Sequence, residues 1–91
     1  MIMVDYVYII QEVDRDGEYF TKMCSLDYGY IKQAYENYID DGLPSLSHLW
    51  IAKHKLDEDI LDSNVVDWVA CSRDGTYHYI RWNGEGANIF G

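Results

Sequence analysis

Basic residues are what this chain has least of. Seven Lys and Arg stand against sixteen Asp and Glu, for a formal net charge of −9. The bases are scattered (Arg15, Lys22, Lys32, Lys53, Lys55, Arg73 and Arg81), whereas phosphate recognition needs them clustered. That argues against direct binding to DNA, RNA or an anionic membrane. Cysteine is scarce too, at two copies. The start, "MIMVDYVYII", carries Asp5 and no leading base. It lacks the charged start and the cleavage site of a signal peptide. Without an export signal two cysteines read as thiols rather than a staple, and a cytoplasmic location is expected. No run approaches the roughly 20 apolar residues that span a bilayer. A glycine-rich phosphate loop is also missing, since "NGEGANIFG" follows a predicted strand but opens no helix.

What remains is a globular composition. Ninety-one residues, 48% apolar and 25% charged, make one domain with one modest core. Nine tyrosines and three tryptophans suit a thin core or an interface, because tyrosine packs its ring while its hydroxyl stays wet.

Two stretches rich in β-formers, Val4 to Val13 and Glu18 to Leu26, flank Asp16-Gly17, a hairpin signal. A two-residue loop there pairs Val13 with Phe20, Gln11 with Lys22, Ile9 with Cys24 and Val7 with Leu26. One face is then largely apolar: Val7, Ile9, Val13, Phe20, Cys24 and Leu26. The other carries Tyr6, Tyr8, Glu12, Asp14, Tyr19 and Thr21, with Ile10 and Met23 among them. "LDYGYIKQAYENYIDDG" changes period and places Tyr28, Ile31, Tyr35, Tyr38 and Ile39 on one helical stripe. Ser25 or Asp27 can cap it, Lys32 and Glu36 are spaced as an ion pair, and Gly42 and Pro44 mark its end.

His48 to Leu56 reads as a third strand, its two histidines at a sheet edge or rim. Val65 to Ser72 and Thr76 to Trp82 form a second hairpin around Asp74-Gly75, pairing Cys71 with His78, Val69 with Ile80 and Trp68 with Arg81. The order ββαβββ predicts an α+β fold, a five-stranded antiparallel sheet with one helix packed on one face. The domain spans residues 1–84, followed by a glycine-rich tail at 85–91. The uncovered sheet face is expected to carry many aromatics.

Three clusters invite chemistry. Glu12, Asp14, Asp16 and Gly17 imitate the start of a calcium loop. The position requiring a bidentate Glu holds Met23, and strands flank it instead of helices, so the stretch reads as a hairpin tip. Cys71 and His78, as predicted neighbours, raise a nucleophile-and-base pair. Asp67 lies two pairs away and no oxyanion-hole loop is evident, so a buried thiol is the better reading. Adding Cys24 and His54 for a zinc tetrad finds no supporting spacing. No catalytic residue, cofactor or metal is expected. The third cluster is Asp57, Glu58, Asp59 and Asp62, the densest acidic run. It is expected near the helix end that carries Asp40 and Asp41. With Glu36 and Tyr19 these make the candidate partner-binding surface, in which carboxylates spaced like phosphates occupy a basic groove and tyrosines supply buried anchors.

Short, acidic, tyrosine-rich and cysteine-poor, with the order strand–"DG"–strand–helix–strand ending in "KLDED", the chain resembles small bacteriophage proteins that bind and disable host machinery, including anti-CRISPR and anti-restriction proteins. The resemblance implies stoichiometric inhibition in the host cytoplasm, the partner being a basic protein that normally binds nucleic acid. A homo-oligomeric module, joined through a β-edge or the aromatic sheet face, is the alternative.

Overall fold

The computed structural model describes residues 6–55 and 64–80. These form strands β1 (Tyr6–Val13) and β2 (Tyr19–Ser25), helix α1 (Tyr28–Asp41), and strands β3 (His48–Lys55), β4 (Asn64–Cys71) and β5 (Tyr77–Ile80). The strands make one five-stranded sheet in the order β2-β1-β3-β4-β5, and every neighbouring pair is antiparallel. With α1 across one face, this is the expected α+β architecture. The tail at 85–91 lies outside the described residues.

Both hairpins turn through the same chemistry. In the first, Gly17 N–H donates to Asp14 C=O and Asp14 N–H to Glu18 C=O, each at 3.0 Å. In the second, Gly75 N–H donates to Ser72 C=O at 3.1 Å and Ser72 N–H to Thr76 C=O at 2.9 Å. Gly17 and Gly75 sit at φ 82° and 88°, a left-handed conformation that glycine adopts without a Cβ clash. Aspartate side chains tie each tip locally. Asp14 Oδ1 accepts from Asp16 N–H and Glu18 N–H at 2.9 and 3.0 Å, and Asp74 Oδ1 accepts from Thr76 N–H at 3.0 Å.

These are three-residue loops, a turn followed by a left-handed glycine, rather than the two-residue loops expected from "DG". The extra residue slips the register by one. Val13 pairs with Tyr19 and Gln11 with Thr21. A bulge at Lys22 then restores the anticipated pairing of Ile9 with Cys24. The second hairpin has no such repair. Cys71 pairs with Tyr77, Ala70 with His78, Val69 with Tyr79 and Trp68 with Ile80. The expected Cys71–His78, Val69–Ile80 and Trp68–Arg81 pairs are therefore replaced, Arg81 itself lying outside the described residues.

The helix also covers the opposite face of the first hairpin from the one expected. Ile31, Tyr35 and Ile39 of α1 pack onto Ile10, Leu49, Ile51 and Val69, with Tyr8, Met23 and Tyr77 around them. Val7, Ile9 and Val13 are half-buried on the far side, while Phe20, Cys24 and Leu26 are exposed. The reason lies in β3 and β4. Strand β1 carries large apolar groups on both faces, so its alternation does not orient it. Leu49, Ile51 and Val69 share a single face, and pairing puts Ile10 opposite Ile51.

Asp27 caps α1, accepting from Tyr30 N–H at 3.3 Å. Gly42 ends it, its N–H donating to Ile39 C=O at 3.0 Å. Lys32 does not pair with Glu36; it reaches across to Asp67 Oδ1 at 2.8 Å. The return loop is sewn to β4 by Leu46 N–H to Cys71 C=O and Cys71 N–H to Ser47 C=O, both 2.8 Å. Strand β3 is central in the sheet, so His48 and His54 stand on an inner strand rather than at an edge.

Ile51 is fully buried at the centre of this layer. Ile51→Ala is expected to cost about 2–5 kcal/mol, a large share of the ~5–15 kcal/mol typical of a domain. Urea unfolding followed by circular dichroism measures it, and a loss under about 1 kcal/mol would contradict the assigned core.

Candidate functional site

Alternation along the strands divides the expected site residues between two surfaces. Glu36, Asp40 and Asp41 are exposed on α1. Glu36 and Asp40 line a cleft of about 350 Å³ between the helix and the β4–β5 side of the sheet, with Lys32, Tyr35, Asp67 and Tyr79. Tyr19 lies on the opposite face of the sheet, because it pairs with Val13. It stands edge-on to Trp50, ring centroids 6.0 Å apart at 77°. The structure thus joins Glu36 and Asp40 but separates them from Tyr19. Asp57, Glu58, Asp59 and Asp62 lie outside the described residues.

The cleft is organised by Asp67, which the sequence reading did not place in the site. Its carboxylate accepts from Tyr28 O–H at 2.5 Å and from Lys32 Nζ at 2.8 Å. Lys32 Nζ also lies 5.1 Å from the Tyr35 ring centroid, a cation–π arrangement. Partial burial, reinforced by the Asp67 carboxylate, pushes the Tyr28 phenol up to about 12. Burial likewise raises Tyr35. Both phenols stay neutral across the physiological range, and Tyr28 acts as a donor to Asp67. Among the described residues the one base lining the cleft, Lys32, is thereby engaged, and Glu36 and Asp40 are exposed to solvent. At the last turn of α1, where the helix dipole favours cations, no basic residue occurs and Asp40 and Asp41 stand instead.

The far face has the opposite character. Strand β1 presents Val7, Ile9, Gln11 and Val13 there, and β3 presents His48, Trp50, Ala52 and His54. From β4 come Val65, Trp68 and Ala70, and from β5 His78 and Ile80. Tyr19, Thr21 and Cys24 extend it onto β2. No Asp, Glu, Lys or Arg lies on this face among the described residues. Trp50 and Trp68 are direct cross-strand partners. They line an open, mainly apolar groove of about 330 Å³ with Val13, Tyr19, His48 and Val65. Their polar handles are satisfied within the face: Trp50 Nε1–H donates to Gln11 Oε1 and Trp68 Nε1–H to His48 Nδ1, both at 3.1 Å. The signal available in the sequence was "HLWIAKHK", whose alternate positions are Leu49 and Ile51 against His48 and Trp50.

The candidate chemical constellations do not assemble. Cys71 is buried on the helix side, beside Leu43 C=O at 3.7 Å, and burial raises its thiol pKa, which disfavours a thiolate. His78 projects from the other face, as do Cys24 and His54, so the four cannot surround one ion. Among the described residues no three His, Cys, Asp or Glu side chains are placed to hold a metal. None of the described helices is long and apolar enough to cross a membrane. Comparison with known protein families, with curated proteins and with solved structures gave no match.

Two measurements probe these surfaces. Asp67→Asn keeps the shape but removes the charge that joins Lys32 and Tyr28 to β4. It is expected to cost about 1–2 kcal/mol, the upper range being reduced by partial solvent exposure, in denaturant unfolding; an unchanged midpoint would dismiss the anchor. Burial lowers the pKa of His48 below its ordinary 6.5. The unfolded chain therefore takes up this proton first, so stability is full above pH 6.5 and declines as pH falls through it. Asp74, held down to about 2 by its bonds to Ser72 and Thr76, contributes stability that is complete above its ordinary 3.8 and is lost only as pH falls below that, so it does not affect the His48 window. The urea midpoint should fall between pH 7.5 and pH 5.5, and His48→Gln should flatten that slope.

Proposed function

We propose that this protein is a cytoplasmic, stoichiometric binding protein that inhibits a nucleic-acid-processing partner by covering its basic surface. The type is that of phage anti-CRISPR or anti-restriction proteins, and the partner is a basic host protein rather than nucleic acid itself. The observation that carries the reading is the acidic end of α1. Carboxylates in the last turn oppose the helix dipole, and each such placement costs on the order of 0.3–1 kcal/mol. Asp40 and Asp41 accept that penalty side by side, next to Glu36 and a cleft whose base is already engaged by Asp67. Residues that weaken their own helix are where stability and function trade against each other.

A net charge of −9 steers such a protein toward a positive surface and makes the encounter sensitive to salt. Exposed Tyr79, beside the cleft, supplies a ring that a partner can bury, as carboxylates alone do not make an interface core. The proposed contact also includes Asp57, Glu58, Asp59 and Asp62. No catalytic role is assigned.

The test exploits the conflict between stability and binding. Asp40→Lys with Asp41→Lys is expected to raise stability by up to about 1 kcal/mol per site while reducing capture of a basic partner from bacterial lysate. Captured protein, identified by mass spectrometry, should elute as salt rises from about 0.1 to 0.5 M. Capture that survives these charge reversals together with lysine at Asp57, Glu58, Asp59 and Asp62 would overturn the proposal.

A further inference from the structure

We infer that the uncharged face of the sheet is the contact between two copies of this chain, packed sheet against sheet about a two-fold axis. Charge decides the occupant. Every copy carries a net −9, so two copies repel wherever carboxylates face each other, and acids are spread along the chain. The face built from Val13, Trp50, Val65 and Trp68 is free of Asp, Glu, Lys and Arg among the described residues. Here two like-charged molecules meet without opposing charges. A basic partner, by contrast, is steered to the helix side, where Glu36 and Asp40 stand.

The chemistry of the face fits desolvation. Tryptophan and tyrosine are enriched in interface cores and charged residues depleted there. Covering an indole normally risks orphaning its N–H. Here Gln11 and His48 already accept from Trp50 and Trp68, so a second copy need supply no acceptor to either indole. Tyr19, 71% exposed, borders the groove beside Trp50. Under a two-fold operator a ridge and a groove on one molecule meet the groove and ridge of its copy.

Size sets the strength of the contact. Five strands at ~4.8 Å spacing and about six residues of length define a plane of roughly 500 Å². That is below the ~800 Å² per partner of a standard interface, and most side chains of the face are half-buried, so the dimer is a weak one. Two aligned sheets packed ~10 Å apart then make a sandwich with a helix outside each sheet.

Sedimentation velocity of the full chain, from about 1 to 100 μM in 0.15 M and 1 M NaCl, tests this. A dimer that holds or tightens at high salt is expected, because salt screens the repulsion between copies and no Asp, Glu, Lys or Arg among the described residues lies on the face. Tyr19→Lys, on an exposed edge-strand position, should weaken dimerisation at least about 30-fold, the effect of losing a hot-spot residue. Its far-ultraviolet circular dichroism should be unchanged. Val65→Lys serves as a second probe of the same face, and Asp40→Lys with Asp41→Lys should leave the dimer intact. A monomer at 100 μM in both salts assigns the face to another occupant and overturns the inference. So does a dimer untouched by both Tyr19→Lys and Val65→Lys, which would place the contact elsewhere, such as the β2 edge. A wild-type chain that dimerises but captures no basic partner would count against the acidic surface alone.

Discussion

One helix must serve a five-stranded sheet, and the rest of the molecule follows from that shortage. The fourteen residues of α1 make a rod about 21 Å long and ~10 Å wide. Such a rod dries one stripe of one sheet face. The stripe is Ile10, Leu49, Ile51 and Val69, closed by Ile31, Tyr35 and Ile39. Asp67 fastens the start of the helix to β4 through Tyr28 and Lys32, while the Leu46 and Ser47 bonds to Cys71 fasten the return loop. Outside the stripe, Ser47, Ala52, Ala70 and Cys71 are also buried, but most other described side chains are half-buried or exposed.

The two remaining surfaces differ because the sheet separates them. On the helix side, burying the apolar stripe of α1 turns Glu36, Asp40 and Asp41 outward, and the nearby base is held by Asp67. On the far side the same alternation brings together two tryptophans, a tyrosine and three histidines, with no Asp, Glu, Lys or Arg among the described residues. Charged contacts act at a distance and weaken with salt; uncharged aromatic contacts act at short range and do not. A small protein with both can pair with itself on one face while meeting a basic partner with the other. In the proposed dimer the second copy would double the number of acidic surfaces presented, and paired engagement would raise avidity where a partner offers two sites.

The order of elements, the helix stripe, the Asp27 cap, the Gly42 stop and both hairpins were legible from residue pattern alone. These are local properties, set by side-chain period, by glycine at positive φ and by carboxylates that bond their neighbours' amides. The length of each hairpin loop was not legible, since "RDG" accommodates two- and three-residue turns and a single residue decides the register. That residue moves His78 away from Cys71 and removes the pairing on which a nucleophile reading would rest. Nor was the position of Asp67 in the cleft legible: its partners Tyr28 and Lys32 precede it by 39 and 35 residues.

The sequence by itself determined a compact α+β chain with surplus negative charge, because composition and periodicity act without reference to distant contacts. Only the tertiary structure decided which face of the sheet the helix covers. Strand β1 is apolar on both sides, so its orientation waits on β3 and β4, whose Leu49, Ile51 and Val69 can be buried on one side alone. That choice turned Tyr19, Trp50 and Trp68 together to the outside, and it parted them from the acids of the helix.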